Sequence, residues 1–199
     1  MSKTLGILIA VLLVFPALGL AEQGRGKEVK AYHNKQKEET KAHFETQKEE
    51  NKSFRESLKD KPKEEKVEAI QEHRQTQFEE NKAFSQTQHE ENMTFLKSRL
   101  ANNNRLSDSQ KSELISYFEN QNQENVSFRD SRHSENVAKF ETIANDPNMT
   151  QEQKKTAIKE FLAQQKAETK QHIETQKSEN KEEWQKVRSE SAASNQTAQ

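Results

Sequence analysis

The sequence predicts an all-α protein of four long helices, arranged as antiparallel helix-turn repeats. After Gly26 the chain contains no glycine, and only two prolines remain, Pro62 and Pro147. Good helix formers, mainly Glu, Lys, Gln and Ala, fill most other positions, so little in the chain interrupts a helix. A motif with a period of about 11 residues further predicts coiled-coil-like packing along one face of each helix.

The composition argues against a conventional globular enzyme. Of the 199 residues, 33% are charged and only 29% are hydrophobic, and 32 basic residues against 33 acidic ones leave a net charge of −1. So few large apolar side chains cannot fill the core of a Rossmann domain, a hydrolase or a β-sandwich. The chain contains no cysteine, which excludes a disulfide scaffold and a cysteine metal site.

The N-terminal segment 1–21 has the pattern of a secretory signal peptide. Lys3 precedes an apolar run over residues 5–15, Pro16 ends that run, and Gly19 and Ala21 place small residues before a cleavage point after Ala21. An uncleaved anchor is the alternative, but the run is shorter than the roughly 20 residues a spanning helix needs. We therefore expect a secreted, periplasmic or extracellular protein with no stable membrane insertion after cleavage.

Helix-breaking residues divide the mature chain at three places. They lie around Pro62, at residues 102–104 and around Pro147. Capping boxes follow the second and third, since Ser107 and Thr150 each have a Gln three residues later. The predicted segments are a flexible entry at 22–27, a tandem-repeat helical domain at 28–189 with helices at 28–59, 62–102, 108–145 and 150–189, and a disordered tail at 190–199.

Each predicted helix carries two copies of the string Q-x-x-E-N-x-x-F. Clear copies begin at Gln47, Gln77, Gln88 and Gln121, and degenerate copies begin at 36, 132, 165 and 176. Because one period of the repeat completes about three helical turns, the repeated Gln, Asn and Phe positions fall on one side of each helix. We call this side the amide stripe.

The amide stripe supplies the candidate core or partner-binding residues. In one interpretation its Gln and Asn side chains bond between helices and fix their register. In the other, the stripe stays partly hydrated and receives a partner; Trp184 could likewise pack against a helix or face a partner. The candidates are Phe54, Phe84, Phe95, Phe128, Trp184, Gln47, Asn51, Gln88 and Asn92.

No constellation of residues predicts catalysis, a cofactor or a metal centre. The six histidines form no helical H-x-x-x-H or H-x-x-H pair, and phosphate loops, nucleophile elbows and H-E-x-x-H are absent from the sequence. His43 and His172 occupy stripe positions that hold Phe in other copies, which makes them candidate pH-sensitive positions. Basic and acidic residues alternate, which argues against nucleic acid, and the narrow apolar face predicts only weak lipid binding.

Two helix starts carry a family resemblance. Leu106-Ser107-Asp108-Ser109-Gln110 and Met149-Thr150-Gln151-Glu152-Gln153 resemble the LTxxQ motifs of periplasmic proteins of the Spy and CpxP type. Ser replaces Thr in the first copy, Met replaces Leu in the second, and the resemblance covers only residues 106–118 and 149–162. It implies a small, secreted, all-helical protein with an ATP-independent chaperone or envelope-stress role.

The sequence as a whole predicts a non-enzymatic binding protein. Its expected partners are unfolded or envelope proteins, or further copies of itself in a homo-oligomer. One alternative is a structural coiled-coil spacer or oligomeric envelope protein, which the regular repeat favours. Another is weak metal binding through the histidines.

Overall fold

The computed structural model describes residues 25–197, apart from the side chains of residues 25, 63, 64 and 192–197. The predicted signal peptide at 1–21 and the start of the expected flexible entry lie outside these residues. The described chain forms four helices and no strand, which confirms the all-α fold. The helices are α1 (Arg25–Ser57), α2 (Lys63–Ala101), α3 (Asp108–Asn145) and α4 (Gln151–Thr197).

Both ends of the helical region extend beyond the predicted bounds. Helix α1 begins at Arg25, so the last part of the expected flexible entry at 22–27 is its first turn. Helix α4 continues to Thr197, through most of the tail predicted as disordered at 190–199. No glycine or proline occurs between residues 190 and 197, so no residue there stops the helix.

Both predicted capping boxes form. The backbone N–H of Gln110 donates to the Ser107 hydroxyl at 3.2 Å, and the backbone N–H of Ser107 donates to Gln110 Oε1 at 3.0 Å. At the start of α4 the same two bonds join Thr150 and Gln153, at 3.3 and 2.7 Å. These bonds satisfy amides that the first turn of a helix leaves without a partner.

The described residues divide into two compact units, 25–90 and 91–197, with the boundary inside α2. In the unit 91–197, which we call the C-terminal unit, the end of α2 and the helices α3 and α4 bury an apolar core. The spacing of these residues puts them on one face of each helix. The core residues are Met93, Leu96, Leu100, Leu114, Phe118, Ile143, Trp184 and Val187.

The unit 25–90, which we call the N-terminal unit, is built differently. It holds α1 and most of α2, and none of its described apolar side chains is fully buried. The buried residues of this unit are Gln36, Gln47 and His89. Polar and aromatic contacts therefore have the main part in holding α1 to α2.

Candidate functional site: the interhelical seams

The contact between α1 and α2 centres on a histidine that lies against a phenylalanine. The His43 ring of α1 stacks on the Phe84 ring of α2, with centroids 4.2 Å apart and planes within 4° of parallel. Nε2 of the same ring donates to Oδ1 of Asn81, one turn before Phe84, at 2.8 Å. We call this arrangement a His–Asn–Phe cluster.

A second cluster joins the same two helices with the roles exchanged. Here His73 of α2 stacks on Phe54 of α1 at 3.9 Å and donates from Nε2 to Asn51 Oδ1 at 3.1 Å. From the first cluster to the second, contacts move towards the C-terminus of α1 and the N-terminus of α2. The helices of this pair therefore run antiparallel.

A third cluster lies between α3 and α4. His172 of α4 stacks on Phe128 of α3 at 4.0 Å and donates from Nε2 to Asn125 Oδ1 at 2.8 Å. The guanidinium of Arg132 lies 4.9 Å from the centroid of the Phe128 ring. Phe128 thus has both an imidazole and a cation close to its ring.

The motif explains why the same cluster forms three times. In N-x-x-F the Asn and Phe are three residues apart and share one side of a helix, so one ring from the facing helix can reach both. The histidines stand at the Phe position of degenerate copies, because His43 precedes Phe54 by one full repeat and His73 precedes Phe84 by the same offset. The flat imidazole ring stacks on the Phe of the motif, and its N–H donates to the Asn.

We call the α1–α2 contact and the α3–α4 contact the two seams. Each contains one helix, α1 or α4, with a closely related sequence. Residues 36–53 of α1 and 165–182 of α4 are identical at 13 of 18 aligned positions, and this alignment pairs His43 with His172. The polar contacts beside the clusters correspond as well. Glu39 accepts from Gln88 Nε2 at 3.0 Å, and its counterpart Glu168 pairs with Arg132.

Further amide contacts connect each pair of helices. Asn51 Nδ2 donates to Gln77 Oε1 at 2.9 Å, so the Asn51 side chain bonds to both Gln77 and His73. Between α3 and α4, Gln165 Nε2 donates to Glu135 at 3.1 Å. This bond, with a smaller contribution from Arg132, holds the pKa of Glu135 below its ordinary value.

The predicted candidates lie in several environments. Four of them belong to the clusters, and all four are half-buried: Phe54, Phe84 and Asn51 in the N-terminal unit and Phe128 in the C-terminal unit. Gln88 is half-buried and bonds to Glu39. Of the others, Phe95 is half-buried, Asn92 and Gln47 are buried, and Trp184 is 2% exposed with its ring centroid 6.0 Å from that of Phe118.

Three members of the clusters are absent from the list of candidate residues, although two of them, Asn81 and Asn125, are positions of the amide stripe. Asn81 and Asn125 are the Asn of clear motif copies, so the repeat itself contained that signal. His73 lies in a stretch where the repeat is hard to recognise, and only its offset of one full repeat from Phe84 marks it. The pairing of histidine with asparagine and phenylalanine depends on which helix faces which.

Burial sets the protonation of two of these histidines. It lowers the pKa of His73, although Glu50 and Glu80 favour the charged ring. Burial also lowers the pKa of His172, against the effect of Glu124 and Glu179 and with a small contribution from Arg132. Since Asn Oδ1 can only accept, Nε2 carries the hydrogen, and the second ring nitrogen is where a further proton would bind.

One position in the C-terminal unit corresponds to the second cluster but does not form it. The counterpart of His73 is Tyr117, and the counterpart of Asn51 is Asn180, whose buried Oδ1 has no hydrogen-bond partner. Burial raises the pKa of Tyr117 to about 12, with Glu179 and Glu183 adding to the shift. The counterpart of Phe54 is Glu183, so the C-terminal unit lacks both rings of the second cluster there and leaves the Asn180 acceptor unsatisfied.

The described residues contain no group of three or more His, Asp or Glu side chains arranged to hold a metal ion. Between residues 25 and 197 no helix has the length and apolar character to cross a bilayer. No family model, curated protein or solved structure matches the chain. What the seams can do follows from their groups: aromatic rings, carboxamides and closely spaced charges can bind polypeptide through stacking and hydrogen bonds.

Proposed function

We propose that the chain is a non-enzymatic, secreted helical protein that binds other proteins, acting as an ATP-independent holdase for unfolded or envelope clients. The supporting observation is the construction of the N-terminal unit. Among its described residues, no apolar side chain is fully buried, and its Phe54 and Phe84 rings are only half-buried. Such a unit has little burial free energy to lose when it opens.

Opening of this unit would offer a client three kinds of contact. The rings of Phe54 and Phe84 supply apolar area, and the carboxamides of Asn51, Gln77 and Asn81 can bond to a polypeptide backbone. Alternating charges on the outer faces would keep the complex in solution. Export rests on the N-terminal sequence pattern, and the chaperone role has further support from the LTxxQ-like helix starts.

Suppression of aggregation tests this proposal. Insulin is suited as a client because its B chain precipitates when its disulfides are reduced, and the protein contains no cysteine for the reductant to attack. We expect light scattering to fall in proportion to added protein, up to about equimolar amounts. No suppression with insulin or with several heat-unfolded clients would contradict the proposal.

A pair of variants separates the cluster rings from apolar surface in general. Phe54→Ser with Phe84→Ser should reduce the suppression several-fold, because both rings would contact the client. Val137→Ala is the matched control, since Val137 is 43% exposed on α3 and belongs to no cluster. The control should keep the activity of the unmodified chain.

A further inference from the structure

The attachment of α1 to α2 depends on titratable groups to an unusual degree. Two of the three His–Asn–Phe clusters lie in this seam, at His43 and His73. Further contacts between the two helices include the side-chain hydrogen bonds of Asn51 with Gln77 and of Gln88 with Glu39. No described apolar residue of the unit is fully buried to support them.

The pairing of α3 with α4 has an apolar anchor that α1 and α2 lack. Phe118 and Trp184, which are 0% and 2% exposed, lie against each other with ring centroids 6.0 Å apart. Leu114 and Val187 are both fully buried beside them in sequence. This part of the seam contains no histidine, so its free energy of packing does not depend on histidine protonation.

Protonation acts differently on the parts of a cluster. A charged imidazole keeps its Nε2–H bond to Asn and gains a cation–π attraction to Phe. Two effects oppose this gain. The new N–H on the second nitrogen needs a hydrogen-bond acceptor, and the charged ring is less well hydrated between the helices than in water. For His73 the carboxylates of Glu50 on α1 and Glu80 on α2 favour the charge, and burial outweighs them. Near His43, the carboxylate one turn earlier on α1 belongs to Glu39 and is engaged by Gln88.

The sign of the pH effect follows from the lowered pKa of His73. A folded-state pKa below the unfolded value, ordinarily about 6.5, means that the unfolded chain binds more protons. The contribution of His73 to the stability of the seam is then fully present at pH values above the unfolded pKa. It decreases as the pH falls from there to the lower folded-state value.

We propose that the α1–α2 seam is an acid-sensitive latch, in which protonation of His73 releases α1 from α2 while α3 and α4 stay paired. In the C-terminal unit His172 titrates among Glu124, Glu179 and Arg132, but the Phe118–Trp184 anchor holds the helices together. Release of α1 exposes the rings of Phe54 and Phe84 and the amides bonded to the histidines. The latch does not depend on what partner, if any, then binds.

Hydrogen exchange of the full chain, read by mass spectrometry, tests the latch. Protection factors at about pH 7.5 and about pH 5, each corrected for the intrinsic exchange rate, are compared by segment. We expect protection over residues 36–54 to fall several-fold on acidification. Residues 110–121 and 176–187 should change by no more than about twofold. Unchanged or increased protection of α1 at acid pH would overturn the proposal.

Glutamine variants identify the groups responsible. Gln can donate to Asn Oδ1 from Nε2 but does not titrate, so His73→Gln should make the protection of α1 independent of pH, although weaker at neutral pH. His172→Gln is the matched control and should leave the acid response of α1 unchanged. If the acid response of α1 persists in His73→Gln, His73 is not the latch.

Discussion

At the scale of single residues, the depth of burial separates aromatic side chains that share the same sequence motif or helix. Phe118 is fully buried beside Trp184, whereas Phe84 is half-buried and its face is covered by one imidazole ring. The free energy lost when a ring is removed depends on the apolar area and the contacts removed with it. Rings of equal size should therefore differ in their contribution to stability.

Replacement of each ring by alanine measures this difference. We expect Phe118→Ala to lower the free energy of unfolding by about 3–5 kcal/mol, as for other fully buried rings. Phe84→Ala should cost less, about 2 kcal/mol, since part of its ring stays in water. Urea unfolding followed by circular dichroism gives both values. Equal losses would mean that the Phe84 ring is as deeply packed as Phe118.

At the scale of single elements, local bonds at the helix starts set where α3 and α4 begin. The Ser107 hydroxyl accepts from the backbone N–H of Gln110 at 3.2 Å. The Gln110 side chain donates from Nε2 to the Val187 carbonyl of α4 at 3.4 Å. A capping residue thus also contacts the facing helix. The sequence predicts the cap but not this second role, because the second role depends on where α4 passes.

Removal of the cap provides a test at this scale. Ser107→Ala should lower the free energy of unfolding by about 1 kcal/mol, since one first-turn amide loses its acceptor. Ser112→Ala is the matched control, because Ser112 is exposed and bonds only back to the Asp108 carbonyl, at 2.9 Å. Its loss should be within about 0.5 kcal/mol. Comparable losses in the two variants would argue against a capping role for Ser107.

At the scale of the whole molecule, the two units should differ in stability. The C-terminal unit has a buried apolar core, and the N-terminal unit has half-buried rings and buried amides. Because apolar burial is the main favourable contribution to folding, the N-terminal unit should unfold first. A single free energy of unfolding would then not describe the chain.

The chain contains a probe for this difference. Its only tryptophan, Trp184, is buried in the C-terminal unit, so fluorescence reports that unit alone, whereas circular dichroism reports the helices of both. In urea we expect the helical signal to begin its loss at lower denaturant concentration than the fluorescence. Coincident curves would show that the units unfold together.

The helices of this protein are encoded locally in its sequence. The lack of glycine and proline after Gly26, other than Pro62 and Pro147, and the capping boxes at Ser107 and Thr150 define them because helix formation and capping depend on neighbours a few residues apart. The N-x-x-F half of each cluster is also local, since Asn and Phe lie one turn apart on one helix. The end of α4 differs from the prediction because polar residues at 190–197 are compatible with either a helix or a disordered tail.

Which side chains meet across the helices depends on tertiary packing. His43, His73 and His172 come from helices that face their Asn and Phe partners, and the register between antiparallel helices is not encoded by any single segment. The difference between the two units is likewise tertiary. Similar sequences in α1 and α4 give a polar seam in one unit and an anchored seam in the other, because only α4 continues into Trp184 and Val187, which the core of its unit can bury.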